Sequence, residues 1–170
     1  TERAARAVAL RPPFLTTHLQ AIKPVEILND IDGMRLALEW AARGLYTTSP
    51  NPRIGCVIVR DGQVIGAGVT QAAGQDHAEV QALANAAARG NDVRGATAYV
   101  TLEPCPMCAG AIINARVPVV VYGAREPNFG SCGSVLNLFE ERFNHHPRIY
   151  GRVLEAECAA LLQEFFQSLR

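Results

Sequence analysis

The sequence predicts an α/β domain in which five strands form a sheet covered by helices. Two observations carry that prediction. From Asp32 onward, short runs rich in β-branched residues alternate with stretches whose apolar residues recur at helical spacing, the pattern of a sheet with helices packed on it. The chain also has 170 residues, the size of one ordinary domain with its own core.

The elements follow in order. Met34, Leu36, Ala37, Trp40, Ala41 and Leu45 predict a first helix, with Gly44 near its end. TTSPNPR, from Thr47 to Arg53, is a loop by composition. IGCVIVR (54–60) reads as a strand, Asp61-Gly62 as a two-residue hairpin turn and QVIGAGV (63–69) as the returning strand. Asp76 is placed to cap a helix from about His77 to Arg89, which Gly90 stops. ATAYVTL (96–102) is a third strand, and Pro106 opens a short helix over 106–115. VPVVVYG (117–123) is a fourth strand, followed by a Gly-rich loop over 124–133. SVLNLFEER (134–142) reads as helical, RIYGRVL (148–154) as the fifth strand, and the last sixteen residues from Glu155 as an amphipathic helix.

Residues 1–31 are expected to be an N-terminal extension or linker, with the domain proper over 32–170. Pro12, Pro13 and Pro24 interrupt any long helix there, leaving room for one short amphipathic helix between Leu15 and Leu28. The first fifteen residues carry three arginines but no long apolar core and no small-residue cleavage site, so no secretory signal is read. Thr1 is not an initiator, and upstream residues are expected. No apolar run reaches the roughly 18 residues of a membrane span.

Sixteen basic and sixteen acidic residues give a formal charge of zero. That balance argues against strong nonspecific nucleic-acid binding but leaves a local basic patch open. Cys56, Cys105, Cys108, Cys132 and Cys158 are odd in number, which argues against a disulfide framework and for a reducing, cytoplasmic setting. Cys132 and Cys158 read as small buried hydrophobes.

The chemistry lies in His77-Ala78-Glu79 and Pro104-Cys105-Pro106-Met107-Cys108. Cys105 and Cys108, three apart at a helix start, can turn both sulfurs to one side. A helix N-terminus also favours thiolate over thiol. His77, at the start of another helix, completes a set suited to Zn²⁺. Three protein ligands leave a fourth position for water, which the ion acidifies. Glu79 beside that position suits a proton shuttle, carrying the proton to a ring nitrogen and then to the departing amine. Each residue has a plainer reading. The cysteines alone fit buried thiols or half of a structural site, Glu79 fits a capping box with Asp76, and His77 fits a helix-start histidine. Their joint occurrence, each at a helix start after a strand, favours the catalytic reading.

At these residues, and over roughly 33–170, the chain resembles the cytidine and deoxycytidylate deaminase superfamily, whose nucleobase deaminases carry H-x-E…P-C-x-x-C. The resemblance implies a three-layer α/β/α cytidine-deaminase-like fold with a mixed five-stranded sheet. It also implies zinc at His77, Cys105 and Cys108, and Glu79 as the catalytic residue. The first half is similar to the deaminase domain of the bifunctional riboflavin-biosynthesis enzyme, through MRLALEWAARGLYTTSPNPRIGCVIVRDGQVIGAG, HAEVQAL and RGATAYVTLEPC. The second half is similar to bacterial tRNA adenosine deaminase, through TLEPCPMCAGAIINARVPVVVYGAREPNFGSCGSVLNLF, FNHH and VLEAECAALLQEFF. The two-residue gap between Cys105 and Cys108 is that of the tRNA branch. Thr70 stands where the tRNA branch has Asn and the riboflavin branch His. Asn128 replaces a Lys of the tRNA branch, whose basic tail is here reduced to Arg170.

Candidate substrate contacts are Asn51, Thr70, Ala78 and Pro104. The Asn51 amide can donate to and accept from a base or sugar, or simply shape a turn between two prolines. His145 and His146 fall where the resemblance places the substrate entrance, with a solvated loop as the alternative. Phe165 and Phe166 read as core rather than base-stacking residues. The expected substrate is an adenosine in tRNA or a small free aminopyrimidine or purine. A third reading is a non-catalytic, zinc-braced binding protein, against which Glu79 counts. No reductase segment follows, so both steps of a riboflavin pathway are not expected of this chain. The resemblance also implies a homodimer, for which VPVVVY and the helix from Ala109 to Ala115 are the expected surfaces.

Overall fold

The computed structural model describes residues 26–43 and 52–168. In chain order these form α1 (Asp30–Arg43), β1 (Gly55–Arg60), β2 (Gln63–Val69), α2 (Ala78–Ala88), β3 (Thr97–Leu102), α3 (Pro106–Asn114), β4 (Val119–Ala124), β5 (Arg148–Tyr150) and α4 (Glu155–Ser168). One 3₁₀ turn lies at Leu138–Glu140. The strands make a single sheet in the order β2-β1-β3-β4-β5. β1 runs antiparallel to β2 and β3, whereas β3, β4 and β5 run parallel, so the sheet is mixed.

Side chains alternate across a strand with a period of two, and this sorts the core into two faces. Cys56, Ile58, Ala98, Val100, Val120 and Tyr122 pack with Ala78 and Ala82 of α2 and with Ala109 and Ile112 of α3. Val57, Val59, Tyr99 and Val121 pack with Met34, Ala37 and Trp40 of α1 and with Cys158 of α4. Helices therefore lie on both faces, and the expected three-layer α/β/α arrangement is present.

Local chemistry explains the boundaries. The Asp61-Gly62 turn has φ of 52° and 74°, the paired left-handed conformation that a tight hairpin requires. Gly68 sets how α2 meets the sheet. A Cβ there would stand 2.3 Å from the Ala78 carbonyl oxygen, so only glycine lets the first turn of α2 lie directly on β2. α1 begins at Asp30, ahead of the expected Asp32, because the Asn29 side chain accepts the Asp32 N–H at 3.0 Å and caps the helix. Ile27 is buried and donates its N–H to the Gly62 carbonyl at 2.8 Å, so the core takes in residues ahead of Asp32. Gly44, Leu45 and the loop from Thr47 to Asn51 lie outside the described residues.

Four expectations are corrected. The segment 134–142 is not a helix beyond the single turn Leu138–Glu140. Asn137 caps that turn with its side chain and also bridges to Cys132, so its polar groups compete with a longer helix. The fifth strand stops at Tyr150 because Gly151 lies against the Tyr122 ring and Arg152 and Leu154 take positive φ. Asp76 does not cap α2. His77 holds the N-cap position, and Asp76 instead accepts from Gln81 Nε2 at 3.4 Å. Of the surfaces expected to form a dimer, the strand is largely interior, whereas α3 keeps Gly110, Ala111, Asn114 and Ala115 accessible. Val120, Val121 and Tyr122 lie in β4 between two strands, and Ala109, Ile112 and Ile113 face the core.

Candidate active site

Because β1 is antiparallel to both β2 and β3, those two strands point the same way. Their C-terminal ends share one edge of the sheet, from which the chain enters α2 and α3. His77 is the N-cap of α2 and Cys105 the N-cap of α3. Both have extended backbone, and neither side chain caps its own helix. The side chains are thus free to meet each other.

They do meet. His77 Nδ1 lies 3.6 Å from Cys105 Sγ and 3.4 Å from Cys108 Sγ. One ligand atom from each of the three residues falls within 4.8 Å of the others. Tetrahedral zinc bonds of about 2.0–2.3 Å place neighbouring ligand atoms roughly 3.4–3.8 Å apart, so the His77–sulfur separations fit that metal. Two sulfurs and one imidazole also form the softer donor set that zinc accepts. The hydrogen bond from Cys108 draws Cys105 down to about 5, against the opposing effect of burial. The same bond, with burial, pushes Cys108 well above the usual thiol range.

Glu79 is 5% exposed, and its Oε2 is buried without a hydrogen-bond partner among the described residues. Burial raises its pKa. A buried carboxyl oxygen with nothing to bind is costly, which fits an atom that awaits a ligand rather than a helix cap.

His77, Glu79 and Cys105 line a cavity of about 510 Å³. Thr70, Glu103 and Glu126 supply its other polar walls, and Pro52, Ile54, Leu102, Pro106, Met107 and Phe129 its apolar ones. The sequence candidates fall as follows. Thr70 is on the wall, with its Oγ1 engaged by the Ile54 N–H at 3.2 Å and by the Ile54 carbonyl at 3.4 Å. Ala78 and Pro104 are buried behind the wall, and the Pro104 carbonyl accepts the Ser131 N–H at 2.9 Å. Asn51 lies outside the described residues. His145 Nε2 binds the Val117 carbonyl at 2.8 Å and His146 is exposed, and neither lines the cavity. Phe165 is buried, with Phe166 exposed beside it at 5.3 Å between ring centroids. Cys158 is buried and Cys132 half-buried.

Sequence reasoning missed Glu103, Glu126, Met107 and Phe129. Glu103 had a readable signal, as a lone carboxylate closing the strand Thr97–Leu102 two residues before the candidate ligand Cys105. Glu126 and Phe129 had none, because the course of the loop 124–133 decides where they point.

Residues 28–124 match the cytidine and deoxycytidylate deaminase zinc-binding region. The riboflavin biosynthesis protein PYRD, chloroplastic, of Zea mays is 45% identical over 141 residues, which are 75% of this chain and 35% of that protein. The tRNA-specific adenosine deaminase of Bacillus subtilis is 45% identical over 124 residues, covering 69% of this chain and 77% of the relative. The solved diaminohydroxyphosphoribosylaminopyrimidine deaminase/5-amino-6-(5-phosphoribosylamino)uracil reductase of Thermotoga maritima superposes with a TM-score of 0.70 at 37% identity, over 81% of this chain and 40% of that one. The chain thus spans about a third of the length of the plant riboflavin-biosynthesis relative. Relatives named for riboflavin biosynthesis and for tRNA adenosine deamination therefore both match this chain. On the matched region and the fold together, the chain belongs to the cytidine and deoxycytidylate deaminase family, as a zinc-binding deaminase domain.

Proposed function

We propose that this domain converts an exocyclic amine of a nucleobase to a carbonyl and releases ammonia. The observation that supports it most is the unpartnered, buried Oε2 of Glu79 in the same cavity as His77 and Cys105. Zinc held by His77, Cys105 and Cys108 supplies, when bound, the Lewis acidity that makes water nucleophilic near neutral pH. Glu79 moves the protons. Its raised affinity for a proton suits it to take one up, pass it to a ring nitrogen and then deliver one to the departing amine. The apolar wall from Pro52, Ile54, Leu102, Pro106, Met107 and Phe129 encloses the ring and excludes bulk water.

The first substrate reading is adenosine in tRNA, converted to inosine. The two-residue spacing of Cys105 and Cys108 and the similarity to the tRNA-specific adenosine deaminase support it. The second reading is a small free aminopyrimidine or purine. No Lys or Arg stands among the described residues lining the cavity, whereas Glu103 and Glu126 do, which favours a ligand without a phosphate close to the ring. A homodimer and a cytoplasmic setting complete the proposal. The exposed Val135 and Leu136, with the accessible Gly110, Ala111 and Ala115 of α3, supply the apolar surface available for pairing. Among the described residues no helix is long and apolar enough to cross a membrane. The test is an ammonia-release screen over free bases, nucleosides, nucleotides and tRNA, with Glu79→Ala as the comparison. Turnover that Glu79→Ala abolishes while zinc and fold remain is the expected result. Activity retained in Glu79→Ala, or zinc lost from it, refutes the assigned role.

A further inference from the structure

We infer that Glu103 is a positioning residue: its carboxylate ties the loop 126–134, and with it the Glu126–Phe129 wall of the cavity, to the strand end that delivers Cys105. The inference rests on the reading of the cavity as the substrate site. Four donors converge on the two carboxylate oxygens. Oε1 accepts the N–H groups of Cys132 at 2.9 Å and Ser134 at 3.1 Å. Oε2 accepts the Glu126 N–H at 3.1 Å and the Ser134 hydroxyl. The donors come from both ends of the loop, so one side chain closes it. Gly130, in the middle, has no room for a Cβ, which would stand 2.5 Å from Glu103 Oε2. The loop is therefore wrapped directly on the carboxylate.

The other end of the link is equally firm. The Glu103 N–H donates to the Ala124 carbonyl at 2.8 Å, which fixes it to the end of β4. Pro104 separates Glu103 from Cys105, and its carbonyl takes the Ser131 N–H at 2.9 Å. The ligand-bearing turn and the loop are thus joined on both sides of Pro104. Phe129, 67% exposed, lines the cavity from the loop. Glu103 is 2% exposed and spends its acceptors on the loop rather than on the cavity. Charge-assisted bonds of this kind are the stronger class, which suits a joint that must hold a wall in register with a metal ligand.

The test uses Glu103→Gln and Ser134→Ala in the metal-loaded full chain. An amide in place of the carboxylate keeps the volume but turns an NH₂ group toward donors, so at least one of the backbone N–H groups loses its acceptor. We expect zinc to stay at one ion per chain. Hydrogen exchange should rise at least tenfold at the amides of 126–134 and stay unchanged in α3. With the substrate found by the ammonia screen, KM should rise at least tenfold and kcat should stay within about threefold. Ser134→Ala should move the same readouts by less. Unchanged exchange or an unchanged KM in Glu103→Gln overturns the inference, and so does zinc loss or faster exchange in every element, which would make Glu103 a general brace. If Glu103→Gln does not fold, Ser134→Ala alone decides by the same readouts. If no substrate emerges from the screen, the deaminase reading fails while the exchange measurement still decides the role of Glu103.

Discussion

Replacing Gly68 with alanine tests how tightly the active-site geometry depends on backbone contact between β2 and α2. The new Cβ would stand 2.3 Å from Ala78 O, 2.6 Å from Ala82 N and 2.7 Å from Gln81 Cβ. Two of these atoms are backbone and cannot rotate away. Ordinary contact begins at 3.4 Å, so the first turn of α2 must back off by about 1 Å. Overpacking of this kind costs about 1–3 kcal/mol, or roughly 2–12 °C in Tm for a domain of this length. The functional loss should be larger than the stability loss. His77 and Glu79 ride on that turn, whereas Cys105 and Cys108 sit on α3 and stay in place. A misplacement of about 1 Å at a catalytic group costs on the order of a hundredfold in rate. Gly68→Ala should therefore remain folded in urea melts, with kcat/KM for ammonia release down about a hundredfold and weaker zinc retention. Gly110→Ala, in open space on α3, is the comparison and should gain up to about 1 kcal/mol. A Gly68→Ala protein with kcat/KM within threefold of the original would refute the argument that the glycine contact positions the site.

Three further outcomes are expected. Cys105→Ala should lose the metal, since it removes one of three ligands and an open zinc site has none to spare; stoichiometric zinc by metal analysis of the purified variant would refute the ligand set. Tyr99 is buried and donates to Asp30 Oδ1 at 2.9 Å, and burial first, then that bond, hold its phenol protonated well above the usual range. A raised folded pKa means its stabilisation is complete below the unfolded value of about 10 and is lost as pH rises beyond it. The unfolding free energy should thus fall as pH rises above about 10, and fall less in Tyr99→Phe, which starts about 1 kcal/mol lower; equal losses in the two proteins would rule this out. Transfer RNA should bind weakly and with a shallow salt dependence, because the described cavity wall holds no cation, Arg152 is paired with Glu155 at 2.7 Å and Arg125, Arg142 and Arg148 are exposed on separate segments. Tight binding with a steep salt slope, together with inosine formed in tRNA, would overturn that and establish the tRNA reading.

Much of this protein was legible in the chain itself, wherever a local rule decides the outcome. Runs such as Cys56-Val57-Ile58-Val59 and Ala98-Tyr99-Val100 alternate along the chain with stretches of helical spacing, which is why a sheet covered by helices could be read. The Asp61-Gly62 turn and the helix opened by Pro106 depend on residues adjacent in sequence. His77, Glu79, Cys105 and Cys108 could be named as a set because zinc and a proton relay demand particular donor types, whatever the fold. Tertiary structure decided the rest. The segment 134–142 has helical composition, but Ser134 is recruited by Glu103 from across the fold and Asn137 caps its own short turn, so these hydrogen bonds outweigh propensity. VPVVVY looks like a surface for pairing only until β5 and β3 cover its two edges. Glu126 and Phe129 reach the cavity because a carboxylate more than twenty residues earlier holds their loop there. Spacing along the chain identifies which donors are available, whereas the walls around them depend on contacts between residues far apart in sequence, which no local pattern encodes.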